Sequence, residues 1–160
     1  MLPSRILMVV LQFATNEDIP ALVEMMGEFY AESNMPLDAE ATTRAFQSLI
    51  EKPDFGSIWM DFKGVEPTGY VVLTVCFSME FGGFDGHIDD LYVRPAFRRQ
   101  GVAKRLIEAV LIECNDRDLE SLTVEVAPEN DAAKALYLNL GLQPRSDDRE
   151  ILTAHLNAIF

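Results

Sequence analysis

The chain has 160 residues, 49% of them hydrophobic and 24% charged, with 9 Gly and 8 Pro. This is the length of one domain, spanning 1–160, and a composition that excludes disordered, collagen-like and coiled-coil classes. The net charge is −13, from 13 basic and 26 acidic residues, so nucleic-acid phosphates and anionic membranes are repelled and neither is an expected partner.

Residues 1–11 carry one positive charge and a short apolar run, but no small-residue cleavage site follows. A first β-strand over 6–14 is therefore expected in place of a signal sequence. No run approaches the roughly 18 apolar residues of a membrane span, and a cytoplasmic protein is the simplest expectation. Thr15-Asn16-Glu17-Asp18 has helix-capping chemistry. Ile19, Leu22, Val23, Met26 and Phe29 follow at helical spacing, and Asn34-Met35-Pro36 ends that helix. A second helix is expected over 39–51, with Ala45, Phe46, Leu49 and Ile50 as its apolar stripe.

Strands follow over 57–62, 69–79 and 87–93, the second being long and β-branched. Gly82-Gly83 and Asp85-Gly86 read as a hairpin connection between the last two. An amphipathic helix covers 102–114, a strand 122–127, a helix 132–140 closed by Gly141, and a last strand 150–156. The fold class is α/β (α+β): a mixed central sheet of about six to seven strands flanked by about four helices. Cys76 and Cys114 cannot build a disulfide framework, and with only His87 and His155 no metal-ligand spacing exists. No metal is expected.

Charge is unevenly spread. Residues 1–90 hold four basic and fifteen acidic residues, a net of −11. Five of the remaining basic residues cluster: Arg94, Arg98, Arg99, Lys104 and Arg105. In this stretch a strand ends at a proline, a basic loop follows, and Gly101 opens a helix. A helix N-terminus presents unpaired N–H groups and partial positive charge, glycine admits close backbone approach, and arginines add charge-assisted bonds. Phosphate binding is one reading; an ordinary strand–loop–helix turn with a solvated basic face is the other. The spacing is neither that of a Walker loop nor of a dinucleotide G-x-G-x-x-G.

Within this stretch Arg98-x-x-Gly101-x-Ala103, preceded by Leu91-x-Val93-x-Pro95, resembles the acetyl-CoA signature of the GNAT superfamily of N-acetyltransferases. A second block, Asn130-x-x-Ala133-x-x-x-Tyr137-x-x-x-Gly141-Leu142, resembles that family's Asn-x-x-Ala-x-x-x-Tyr-x-x-x-Gly-Phe, with Leu142 in place of Phe. The resemblance implies a GNAT acyltransferase fold and acetyl-CoA as co-substrate. Leu91, Tyr92, Val93, Arg98, Arg99, Gln100, Gly101, Val102, Ala103, Lys104 and Asn130 would hold it. The pantetheine arm would lie between the strands ending at Val93 and at 127, which splay apart in the family. The Val93 N–H would polarise the thioester carbonyl, and Tyr137 would be the general acid.

Ile88 and Leu91 are three apart yet both core-like, so an extra residue, a β-bulge, is expected at Asp89-Asp90. Ile88-Asp89-Asp90-Leu91-Tyr92-Val93 is similar to the corresponding segment of diamine acetyltransferases, where acidic residues handle a cationic amine. Asp89 and Asp90 are the candidate bases, with only one expected to face the substrate; His87 and Glu125 are rivals. By the same resemblance the acceptor pocket draws on the first two helices and inter-strand loops, which carry Glu24, Glu28, Tyr30, Glu32, Asp38, Trp59 and Glu80. Glu24, Glu28 and Glu32 recur every four residues, normally a solvated helix face. The expected activity is transfer of acetyl to the primary amine of a small cationic molecule. Alternatives are a protein N-terminal or lysine acetyltransferase, and a non-catalytic acyl-CoA-binding domain. GNAT proteins commonly dimerise, so a homodimer is implied as well.

Overall fold

A computed structural model describes residues 8–145. The expected strand over 150–156, His155 and the first residues of the expected strand over 6–14 lie outside that span. Five strands and four α-helices follow in the order β1 (Val9–Phe13), α1 (Ile19–Glu32), α2 (Ala39–Glu51), β2 (Gly56–Lys63), β3 (Glu66–Ser78), β4 (Gly83–Val93), α3 (Val102–Asp116), β5 (Ser121–Val124) and α4 (Asp131–Asn139). The strands form one sheet in sequence order, antiparallel except for the parallel pair β4–β5. The sheet thus has five strands among the described residues, not the six to seven expected.

Local chemistry sets the helix boundaries. Thr15 and Asp18 build a capping box ahead of α1, Asp18 accepting from the Thr15 backbone N–H at 2.8 Å. Asp38 accepts from the Ala41 N–H at 3.0 Å at the start of α2, and Asn130 from the Ala133 N–H at 3.1 Å at the start of α4. Gly141, at φ 94°, closes α4 as its C′ residue.

Alternation along the strands divides the core between the two faces of the sheet. Tyr70, Val72, Ile58, Met60 and Tyr92 pack against Leu22 and Met25 of α1 and Phe46 of α2. Val71, Leu73, Ile88 and Val93 pack against Val102, Leu106, Ile107 and Val110 of α3 and Tyr137 of α4. Asp85-Gly86, expected in a turn, lies inside β4, opposite Cys76 and Val75. Its glycine answers to close packing: a Cβ at Gly86 would meet Leu73 Cδ1 at 3.1 Å and Cys114 Sγ at 3.3 Å.

The β3–β4 register slips where expected. Val72 faces Asp90 and Leu73 faces Ile88, which leaves Asp89 as the extra residue of a bulge. The parallel pairing of β4 with β5 runs from Asp85↔Ser121 to Ile88↔Val124 and stops, while β4 continues to Val93. From the bulge onward, one edge of β4 is open.

Candidate active site

The open edge of β4 forms one wall of a cleft of about 670 Å³. The Arg94 N–H donates to the Thr68 carbonyl at 2.9 Å, so residues 94 and 68 form a hydrogen-bonded pair of the antiparallel ladder. Such pairs alternate with non-bonded ones. Leu91 and Val93 therefore turn their N–H groups away from β3, toward the gap that β5 has left. Leu91, Tyr92, Val93, Arg98, Arg99, Gly101, Val102, Ala103, Lys104 and Asn130 all line the cleft, with Ala132, Ala135 and Leu136 of α4 opposite. Gln100 does not: its amide turns back to the Ala96 carbonyl at 2.9 Å.

The loop before α3 has the backbone of an anion cradle. Arg99 (φ 63°) and Gly101 (φ 79°) both sit in the left-handed region, and alternation of this kind turns successive N–H groups to one side. The five clustered basic residues divide in two. Arg99 and Lys104 line the cleft, Arg98 lines it while donating to the Val93 carbonyl (2.9 Å) and to Glu32 (2.5 Å). Arg94 and Arg105 act as braces instead. Arg105 binds Asp61 through Nε (2.8 Å) and Nη2 (3.1 Å), and through Nη1 holds the Gln100 carbonyl at 3.2 Å. Because a peptide is planar and trans, fixing that carbonyl aims the Gly101 N–H the opposite way.

Asp61, on β2, is 1% exposed and also accepts from the Thr68 hydroxyl at 2.5 Å. Sequence reasoning passed over it, because a lone Asp in a strand carries no local signal of its partner 44 residues away.

On the other side of the bulge lies a second cavity, of about 570 Å³, bounded by α2 and the sheet. Both Asp89 and Asp90 line it. Both line it because a bulge sets two consecutive residues against one on the partner strand. Burial first, then the Asp89 carboxylate, push Asp90 up to about 6 from the usual 3.8. Tyr30 and Tyr70 stand nearby: burial and then the Asp90 charge raise both hydroxyls. Tyr70 is fully buried, and its hydroxyl has no hydrogen-bond partner among the described residues. The linings of the cleft and this cavity reach adjacent positions of β4, Leu91 in the first and Asp90 in the second.

The other wall residues of that cavity come from the inner face of α2, chiefly Thr42, Ala45, Phe46 and Leu49, with Met26, Val72 and Thr74. None of the seven residues expected on the acceptor side lines it. Glu24 and Glu28 pair with Arg94 at 3.2 and 2.9 Å, and Glu32 with Arg98. The four-residue stripe is thus no freely solvated face. It clamps α1 to the end of β4. Asp38 is a helix cap, and Glu80 bonds Arg145 at 2.9 Å. Trp59 donates to buried Glu113 at 2.7 Å, in a separate cavity of about 840 Å³ between β2 and α3.

His87 and Glu125 line neither the cleft nor the aspartate cavity. Tyr137 is 7% exposed, within the α3-side core, and burial raises its hydroxyl. It borders a smaller cavity of about 290 Å³ against β5, while its neighbour Leu136 lines the cleft.

Residues 19–142 match the acetyltransferase (GNAT) family. The chain belongs to that family. Acetyl-CoA is accordingly its acyl donor, and the cleft fits it: an anion cradle at the α3 N-terminus, cationic side chains beside it, and a slot along β4 with outward N–H groups for an extended arm. Among similar proteins, the thialysine N-epsilon-acetyltransferase of Caenorhabditis elegans is 28% identical over 123 residues, covering 77% of this chain and 76% of its own. The ribosomal protein bS18-alanine N-acetyltransferase of Haemophilus ducreyi is 28% identical over 86 residues, 54% of this chain and 57% of its own. The crystal structure of an integron cassette protein from the mobile metagenome of Cole Harbour Salt Marsh superposes with a TM-score of 0.81 at 37% identity, covering 91% of this chain and 90% of that one. No helix among the described residues of this GNAT acetyltransferase is long and apolar enough to cross a membrane.

Proposed function

We propose that this enzyme acetylates the primary amine of a small cationic molecule, with Asp90 as the base that takes the amine's proton. The observation that carries this reading is the bulge: it sets two carboxylates in one cavity, next along β4 to the residues that line the donor cleft. The enzyme relative named for an ε-amine of thialysine supports the same acceptor chemistry.

When bound, acetyl-CoA supplies an acyl carbon on a thioester and a thiolate leaving group. The Val93 N–H donates to the acyl oxygen, where negative charge grows during attack. An ammonium drawn to Asp89 and Asp90 must lose a proton before its nitrogen can attack. Asp90, held near 6, is ionised at neutral pH and a stronger base than an ordinary aspartate. Tyr137 is assigned by its motif position as donor of the proton to the departing sulfur, although its ring borders the β5-side cavity and only its neighbour Leu136 lines the cleft; burial keeps that proton in place at neutral pH. Tyr137→Phe is expected to lower kcat by about 10²-fold with the KM for acetyl-CoA unchanged. Steady-state thiol release at saturating donor checks this; a loss of donor affinity with turnover intact would make Tyr137 a packing residue.

The substrate reading is tested by thiol release across a panel of small amines protonated at neutral pH, aromatic amines of matched length whose nitrogen is not, and alanine-initiated peptides. Cationic amines are expected to lead neutral ones by at least about tenfold in kcat/KM, about 1.4 kcal/mol. That lead should shrink as salt shortens the roughly 8 Å screening length. Peptides or neutral amines in the lead would overturn the small-cation reading. Donor binding without thiol release from any amine would make the chain a binding domain.

A further inference from the structure

The aspartate cavity is lined by a cation as well. Its lining includes three ionisable side chains: Asp89 and Asp90 on β4, and Lys52 at the C-cap of α2. The rest of the lining is mostly apolar, with Phe46, Leu49, Phe55 and Val72 its larger side chains, and carries the hydroxyls of Thr42, Ser48 and Thr74.

The placement of Lys52 is notable against its background. Three basic residues occur between residue 8 and the start of β4: Arg44, Lys52 and Lys63. Arg44 is paired with Glu40 at 3.9 Å, and Lys63 lies over the Phe97 ring at 5.9 Å. Lys52 alone lines a cavity, and its ammonium makes no ion pair or hydrogen bond among the described residues. A diamine stretched through this space would bring its distal ammonium toward a like charge. A molecule with an amine at one end and a carboxylate at the other meets an opposite charge at each.

Resting on the acceptor reading above, we infer that the substrate is an amino carboxylate: a primary amine joined by an apolar stem to a carboxylate. The amine faces Asp90, the stem lies along Phe46, Leu49 and Val72, and the carboxylate binds Lys52. Lys52 is then a specificity-determining residue. It takes no part in proton transfer and acts on substrate affinity.

The test compares 6-aminohexanoate, 6-aminohexanamide and 1,6-diaminohexane, which share amine and stem and differ only at the far end. Each is assayed by thiol release with the full chain, as wild type, Lys52→Ala and Lys52→Glu. The side chain of Lys52 is exposed, and an unchanged melting temperature confirms that each variant is folded. The wild type is expected to prefer 6-aminohexanoate to its amide by about two- to fivefold in kcat/KM, the effect of one exposed charge pair. The difference should lie in KM. Lys52→Ala should bring the two substrates within about twofold of each other, chiefly by raising the KM for 6-aminohexanoate. Lys52→Glu should favour the diamine. A wild type that prefers the diamine, with the order unmoved by either substitution, overturns the inference and leaves the cationic-amine reading standing. Release with none of the three amines overturns both.

Discussion

Asp90→Asn is expected to lower acetyl transfer by about 10²–10⁴-fold, the range for loss of a general base, and at the same time to stabilise the fold above pH 6. The two effects have one cause. Half-burial and the neighbouring Asp89 carboxylate raise Asp90 from 3.8 to about 6, so the folded protein holds this proton more tightly than the unfolded chain does. Protonation of Asp90 thus favours the fold, and ionisation weakens it as pH rises from 4 through 6. A rise of this size corresponds to at most about 3 kcal/mol, and solvent at the half-buried side chain reduces that to about 1–2 kcal/mol. Asparagine keeps the shape and removes the charge. The variant should melt about 2–8 °C above the wild type at pH 8, and the gap should close toward pH 4. Thermal melts at the two pH values check this. Equal melting at pH 8 together with full activity would remove Asp90 from the site. The base is held at a cost in stability, as strained functional groups commonly are.

The second large effect is expected at a residue that touches neither substrate. Asp61→Ala removes the carboxylate that holds Arg105 and the Thr68 hydroxyl. Breaking a buried pair from one side costs about 3–5 kcal/mol; Arg105, a third exposed, can partly rehydrate, which leaves about 2–4 kcal/mol. The melting temperature should fall by about 4–16 °C. The released Arg105 also lets go of the Gln100 carbonyl, and with it the fixed direction of the Gly101 N–H. Affinity for CoA, measured by calorimetry at a temperature where the variant is folded, should drop by about tenfold. A destabilised variant with wild-type CoA affinity would show that the pair supports the sheet and not the loop.

Much of this molecule is written in local patterns. The bulge could be seen in advance, because Ile88 and Leu91 cannot both face the core without an extra residue between them. The α3 N-terminus and the Gly141 stop depend on neighbours within four positions, so they too are legible. What escaped is what depends on distant partners. Gly86 reads as a turn residue, yet it is required by Leu73 and Cys114 packing over it. Glu24, Glu28 and Glu32 read as a solvated stripe, because nothing in α1 announces the arginines of the β4 loop. The walls of the aspartate cavity are largely the apolar stripe of α2, which looks like any buried helix face. Lys52, taken alone, is an unremarked lysine before a proline.

The pH dependence of kcat/KM for a small cationic amine, measured in wild type and in Asp90→Asn, probes the central claim most directly. A base held near 6 predicts an acid limb with an apparent pKa close to 6 in the wild type, absent from the weakly active variant. A wild-type profile with no inflection near 6, rising only with the amine's own deprotonation, would contradict it.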